Sequence, residues 1–330
     1  QGYSSAASDV YKRQRHSSTH CQRTQLMKYL IIGTGGVGGS IAAFLHLSGK
    51  DVSCIARGEA LEAIKRDGLK FHSTLKGEHV LHIDAFGAGE RDMKADVIFV
   101  TVKGYSIDDI GPLIQAHAHK DTIVIPVLNV YGTGARIASN APGVNVLDGC
   151  IYIVGFKSGI GEITQMGEIF HLVYGVPKGH EVNVQTLSTV NKDLTEAGIK
   201  VTLSDDIDRD TFIKWSYISA MALTGAYFDI PMGPIQHPGK ERELFTALTR
   251  ESETIGHRLG IDFGCDLTAH HLEVMDSLAP ESTASLQKDL KAGHRSEIDG
   301  QLYGMLDLAT KLGVDTPVYR IVADRFSREA

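Results

Sequence analysis

The stretch Lys28-Tyr29-Leu30-Ile31-Ile32 leads straight into Gly33-Thr34-Gly35-Gly36-Val37-Gly38, and a helical pattern over residues 39–47 follows. An apolar strand, a G-x-G-x-x-G turn and a helix, in that order, are the setting in which glycine spacing carries meaning. Gly33 permits the tight bend, Gly35 lets a pyrophosphate approach the backbone, and Gly38 lets the helix pack closely on the strand. Gly33, Thr34, Gly35, Gly36, Val37 and Gly38 are therefore candidate dinucleotide-binding residues, with the helix N-terminus presenting free N–H groups to the phosphates.

Outward from this turn the pattern repeats. Gly49 ends the helix, and residues 51–56, 96–100 and 122–128 are β-branched runs bounded by turn signals. Strands alternating with helices predict an α/β chain with a Rossmann-type, doubly wound parallel sheet. Residues 151–156, 161–164 and 170–174 alternate with glycines and read as antiparallel strands, followed by a helix over 183–197 and a last strand over 200–203. The expected division is a dinucleotide-binding domain over 27–204 and an all-helical domain over 205–330, the latter broken at Pro231-Met232-Gly233-Pro234, Gly260, Gly264, Pro280, Gly293 and Gly313.

The residue closing the second strand selects between dinucleotides, because it faces the adenosine ribose. An acidic side chain there binds free hydroxyls, whereas arginine accommodates a 2′-phosphate. Arg57 holds that place, nineteen residues after Gly38, and favours NADP(H). The alternative is a solvated Arg57 with Glu59 taking the ribose, although Glu59 also suits a helix first turn. Two more strand ends, at Lys103 and Asn129, point to the same crevice as candidate cofactor and substrate contacts, with loop solvation or turn capping the bland reading of each.

Composition narrows the partner classes. The chain has 330 residues, 42% hydrophobic and 22% charged, and a formal charge of −7. Residues 1–26 carry four basic side chains against Asp9, so the remainder stands at −10, an acidity that argues against nucleic acid. That leading segment is rich in Ser, Thr, Gln and Arg and is expected to lie outside the fold, as a disordered extension or a sequencing artefact, with Met27 the natural start. No run of about 18 apolar residues occurs, so no membrane span is expected and cytoplasm is the default location. Cys54, Cys150 and Cys265 are isolated and read as buried reduced thiols. The His270-His271 pair, His117 and His119 lack metal-ligand spacing, so no metal is expected and surface or capping roles are favoured.

The glycine turn with Arg57, Val102-Lys103, Asn129, Lys214 beginning a long helix, and Ser285 followed by Ser296-Glu297-Ile298-Asp299 together resemble the ketopantoate reductase family, from Met27 to about Phe326. The resemblance implies hydride transfer from NADPH to the C2 carbonyl of ketopantoate, giving pantoate for pantothenate and coenzyme A synthesis. It makes Lys214 the catalytic acid, Glu297 its carboxylate partner, and Asn129 and Ser285 substrate contacts. The chemistry is consistent, since carbonyl reduction builds negative charge on oxygen, which a positioned cation that donates a proton relieves. Locally, Ser285 and Glu297 read as ordinary helix-surface and first-turn residues.

Three positions depart from the family. Ile218 and Ala222 stand four and eight residues after Lys214, where asparagines are usual, and Val130 replaces a usual glycine after Asn129. Ser216, Ser219 and Thr224 lie out of phase with Lys214. A related, more apolar 2-oxo acid is thus a rival substrate, a dinucleotide sensor a rival function, and a β-hydroxyacid dehydrogenase relative a third reading. The expected partner is a small-molecule 2-oxo acid, and a homodimer through the helical half is compatible with the sequence.

Overall fold

The computed structural model describes residues 26–328. The leading extension therefore falls outside the described residues, apart from Leu26.

Strand β1 (Lys28–Ile32) is buried along its length after Lys28, as a central parallel strand covered on both faces should be. It feeds helix α1 (Gly36–Leu47), then β2 (Asp51–Ile55), α2 (Gly58–Asp67), β3 (Leu69–Ser73), β4 (Gly77–Leu81), β5 (Asp84–Phe86) and β6 (Ala95–Val100). A short turn at Gly104–Ser106 precedes α3 (Gly111–His117), β7 (Ala118–Pro126), α4 (Thr133–Asn140) and β8 (Asn145–Val146). Six of these strands form one parallel sheet in the order β5-β2-β1-β6-β7-β8. The chain moves outward from β1 to β2 and β5, then returns to place β6 on β1's other side. The loops after β1 and β6 therefore diverge, and open a crevice at the carboxyl ends of the strands.

A second sheet was only half legible. Strands β9 (Asp148–Gly159) and β10 (Glu162–Gly175) form the expected antiparallel pair, longer than the short runs suggested. Helix α5 (Val184–Glu196) is capped by Asn183, and β11 (Lys200–Leu203) then runs parallel to β10. The β3–β4 hairpin, which no sequence signal marked, joins through β3 to β10. Helix α1 lies between the two sheets. Its residues Gly38 to Leu45 are all buried, and Phe44 packs edge-on to Phe71 of β3 and Phe170 of β10. A predominantly apolar helix suits that position between two sheets.

The helical half begins with α6 (Ile207–Phe228), capped by Asp206, so Lys214 sits two turns inside this helix and not at its start. Helices α7 (Lys240–Arg258), α8 (Leu267–Asp276) and α9 (Ser285–Lys291) follow, and a π-helical turn at Asp299–Tyr303 runs into α10 (Gly304–Leu312) and α11 (Pro317–Ala323). Phe212, Trp215, Leu223, Phe245, Leu248, Leu302 and Tyr319 fill the core between them. No described helix is long and apolar enough to cross a membrane.

Two minor expectations are corrected. His271 and His117 are buried, not on the surface; His271 Nε2 lies 2.9 Å from Ser216 Oγ, and His117 Nδ1 lies 2.9 Å from the Met93 carbonyl. Cys54 and Cys150 are buried, but Cys265 is exposed. Among the described residues no group of three or more His, Cys, Asp or Glu could hold a metal.

Candidate active site

Each glycine of the opening turn answers to a different neighbour. Gly33 has φ +104°, and a Cβ there would come within 3.1 Å of the Thr101 backbone. At Gly38 it would reach 2.0 Å from the Gly33 carbonyl oxygen, which is the close strand–helix packing expected of the motif. Gly36 is required by the second sheet, because its Cβ would lie 2.1 Å from the Gly155 carbonyl oxygen on β9. Gly35 alone faces open space, with nothing within 4 Å of a Cβ. It is also the α1 N-cap and offers no capping side chain. Thr34 is buried and Val37 half-buried beside it. The turn therefore leaves room, bounded by backbone N–H groups, where a dinucleotide pyrophosphate would lie.

Arg57 follows β2 as the N-cap residue of α2, is exposed, and makes no ion pair with any described residue. Glu59 follows in the first turn, also exposed. Both side chains are therefore exposed just beyond the carboxyl end of β2.

The floor of the crevice is built from the strand ends after β6 and β7. Thr101 Oγ1 donates to the Gly33 carbonyl at 2.6 Å and so ties the two diverging loops together. Two residues on, Lys103 Nζ reaches across to the helical half, 3.0 Å from Asp289 Oδ2 and 3.6 Å from Glu297 Oε2. Burial opposes the charge on Lys103, but Glu297 and Asp289 outweigh it and raise its pKa.

Lys214 comes from the opposite wall. Its side chain is 5% exposed, and Nζ donates to Asn129 Oδ1 at 2.7 Å. The ring of Tyr152, on β9, lies 5.5 Å from the same ammonium. Burial lowers the pKa of Lys214, while Cys150 and Glu297 pull it back up. Desolvation thus makes this lysine a readier proton donor than an exposed one.

Glu297 lies in the same region but is held by different partners. It is 6% exposed, its Oε1 accepts from the Gly104 N–H at 3.1 Å, and its attraction on Lys214 acts at longer range. The π-helical turn that follows fixes it there. Trp215 Nε1 donates to the Gly300 carbonyl at 3.1 Å, and a Cβ on Gly300 would meet Val130 Cγ2 at 2.5 Å. Val130 is therefore seated against a glycine of the helical half and against Gly104, whose Cβ would stand 3.1 Å from it.

Ser285 opens α9 and is exposed, one turn before Asp289 and on the same face. Helix α9 is docked on α6 through Gln287, whose side chain fills the space left by Gly225 and donates to the Ile230 carbonyl at 2.8 Å. Ile218, a turn beyond Lys214, is half-buried, and Ala222 is buried. Ser216 turns toward His271, while Ser219 Oγ and Thr224 Oγ1 are buried without hydrogen-bond partners.

Lys214, Asn129, Glu297 and Lys103 thus converge, with Ser285 one turn from the Lys103 contact. Sequence reasoning missed Asp289, Tyr152 and Cys150. Asp289 could have been found from its i, i+4 phase with Ser285; Tyr152 and Cys150 reach the site through the second sheet, which carried no such signal.

The model of the family described as "Ketopantoate reductase PanE/ApbA" matches residues 29–179, and that of its C-terminal part matches residues 206–328. An uncharacterised oxidoreductase of Bacillus subtilis, YkpB, is 27% identical over 90% of this chain and 96% of its own. A 2-dehydropantoate 2-reductase of Mesorhizobium japonicum is 27% identical over 88% of this chain and 94% of its own. A solved D-mandelate dehydrogenase, in a ternary structure with NADH and anilino(oxo)acetate, shares the fold with a TM-score of 0.81 at 22% identity, over 90% of this chain and 96% of that one. The chain belongs to the ketopantoate reductase family, and is an oxidoreductase with a Rossmann-type sheet and a helical C-terminal region.

Proposed function

We propose that the protein is an NADPH-dependent reductase of a 2-oxo acid, with ketopantoate, reduced to pantoate, as its first substrate. The observation that carries this reading is the buried Lys214 ammonium presented across the seam to Asn129, 2.7 Å away, at the carboxyl end of the parallel sheet. The open ground before Gly35 and Arg57, unpaired among the described residues, suit a dinucleotide bearing a 2′-phosphate. Bound NADPH supplies the hydride that goes to the carbonyl carbon.

The remaining work belongs to the chain. Lys214 hydrogen-bonds the carbonyl oxygen, stabilises the charge that grows on it, and passes it a proton, becoming a neutral amine that recovers its proton from water. Asn129 orients that ammonium. Glu297 favours the charged form of Lys214 from beyond hydrogen-bond distance. Ser285 offers its hydroxyl to the substrate carboxylate from the first turn of α9.

Ile218 and Ala222 favour a second reading. Amide side chains at these places would hold a substrate hydroxyl; apolar ones suit a branched or aromatic side chain. A substrate screen separates the cases. Loss of NADPH absorbance with ketopantoate faster than with apolar 2-oxo acids supports the first reading, and the reverse order supports the second. No turnover with any 2-oxo acid, with NADPH still bound, would make the protein a dinucleotide sensor.

A further inference from the structure

We propose that the outer face of the second sheet, along β9 and β10 from Tyr152 to Phe156, is a docking surface for a second copy of this chain. The face is defined by cross-strand pairs. Tyr152 stands opposite His171, Val154 opposite Met166 and Phe156 opposite Thr164, while the alternate residues Ile151, Ile163 and Leu172 turn inward to the core around α1. An antiparallel sheet packed on one face normally carries polar side chains on the other. Here Tyr152, Val154, Phe156, Met166 and Ile169, with Leu75 at the edge, are between 37% and 65% exposed. They are six of the twelve large apolar side chains exposed among the described residues, and such clustering, unlike scattered exposure, marks an interaction site.

The chain itself shows how this face is covered. At the next cross-strand pair on the same face, Cys150 and Val173 are buried against Ile207 of α6. The helix covers no more than this end, and the apolar surface runs on bare. Beside the stripe lies a groove of about 660 Å³, lined among others by Leu75, Tyr152, Ile169, Phe170, Val173 and Ile213. Val154, Phe156 and Met166 stand outside the groove, so a small molecule filling it would leave them in water. A second copy leaves neither bare. Ridge and groove lie side by side, and a two-fold rotation sets the ridge of each copy toward the groove of the other.

The area is sufficient for such a contact. At about 200 Å² for a fully exposed large side chain, the six apolar residues present roughly 600 Å². Glu168, Lys200 and Thr202, exposed around the groove, bring the face to the roughly 800 Å² that each partner of a stable interface buries. Burial lowers the pKa of His171, so the centre of the face is uncharged at neutral pH and the charged groups lie at the rim. Tyr152 belongs to both the face and the reaction site, its ring lying 5.5 Å from the Lys214 ammonium.

The test is the mass of the full chain in solution, by light scattering after size exclusion and by sedimentation velocity. A dimer is expected, half-dissociated at micromolar concentration or below. Val154→Glu with Met166→Glu puts two carboxylates from each copy at the centre of the contact and should weaken it by about a hundredfold or more. Both positions are more than half exposed, so the resulting monomer should keep the circular dichroism of the parent. Mixed with a chain carrying Val154→Lys and Met166→Lys, the double glutamate variant should regain a one-to-one dimer, which a folding defect could not produce. Ile321→Glu, at an exposed position of α11 in the helical half, should dimerise like the parent. A parent chain that stays monomeric at about 100 µM would overturn the proposal. So would a dimer that survives the paired glutamates, or one that only Ile321→Glu dissociates.

Discussion

Lys214 Nζ and Asn129 Oδ1 meet at 2.7 Å, one from the second turn of the longest helix, the other from the loop that follows β7. The contact joins the helical half to the parallel sheet and buries an ammonium at the point where the strand ends open.

A buried ammonium serves chemistry at the expense of stability. Because burial lowers the Lys214 pKa, its charged form destabilises the native state. Lys214→Met should therefore raise Tm by a few degrees at neutral pH while abolishing reduction. The sign follows from the depressed pKa: the gain is greatest where the wild-type lysine must be charged and vanishes above about pH 10.5, where the unfolded chain loses the proton as well. Thermal melts at neutral pH and at about pH 11 check this, and an unchanged or lower Tm at neutral pH would contradict it.

Gly35 and Gly36 are adjacent but should fail in different ways. Gly36→Ala drives a methyl into the β9 backbone and should cost about 2–3 kcal/mol of stability, with no side chain able to move aside. Gly35→Ala meets no atom within 4 Å and should melt like the parent, yet bind NADPH at least tenfold more weakly. Denaturation without cofactor, paired with calorimetric NADPH titration, separates the two. The prediction fails if both variants show the same defect.

Arg57→Ala should raise the KM for NADPH at least tenfold and leave that for NADH within about twofold, since only the 2′-phosphate uses the guanidinium. An equal rise for both cofactors would point to Glu59 and the ribose hydroxyls.

Asp148 gives a test of stability away from the site. It is buried under α4, and desolvation, with a smaller contribution from Asp208, pushes its pKa from 3.8 to about 6 against the help of the Gly134 N–H. A carboxyl with a raised folded pKa stabilises the fold while protonated, and that contribution is lost as pH rises from 3.8 to about 6. Asp148→Asn keeps the bond to Gly134 without the charge. It should be about 3 kcal/mol more stable than the parent above pH 7, and no more stable near pH 3.5. Equal stability of the two proteins at pH 7 would exclude a raised pKa.

Legibility in the sequence followed the range of the interactions. The strand, glycine turn and helix from Lys28 to Leu47 are local, so spacing alone identified them. The long helix carrying Lys214 was equally plain, though Asp206 starts it two turns earlier than expected. The β3–β4 hairpin was invisible because β3 gains its partner β10 some ninety residues away, and nothing local marks that pairing. Glu297 was found through resemblance alone. Its actual partners, Gly104 and Lys103, depend on the π-helical turn, on Gly300 and on Val130, which no periodicity reports.

The most direct test of the account is single-turnover reduction by Lys214→Ala, with NADPH binding measured on the same preparation. The account predicts unchanged NADPH affinity and hydride transfer slowed by about a hundredfold or more for the preferred 2-oxo acid. Transfer within about twofold of the parent, with NADPH bound equally well, would contradict it.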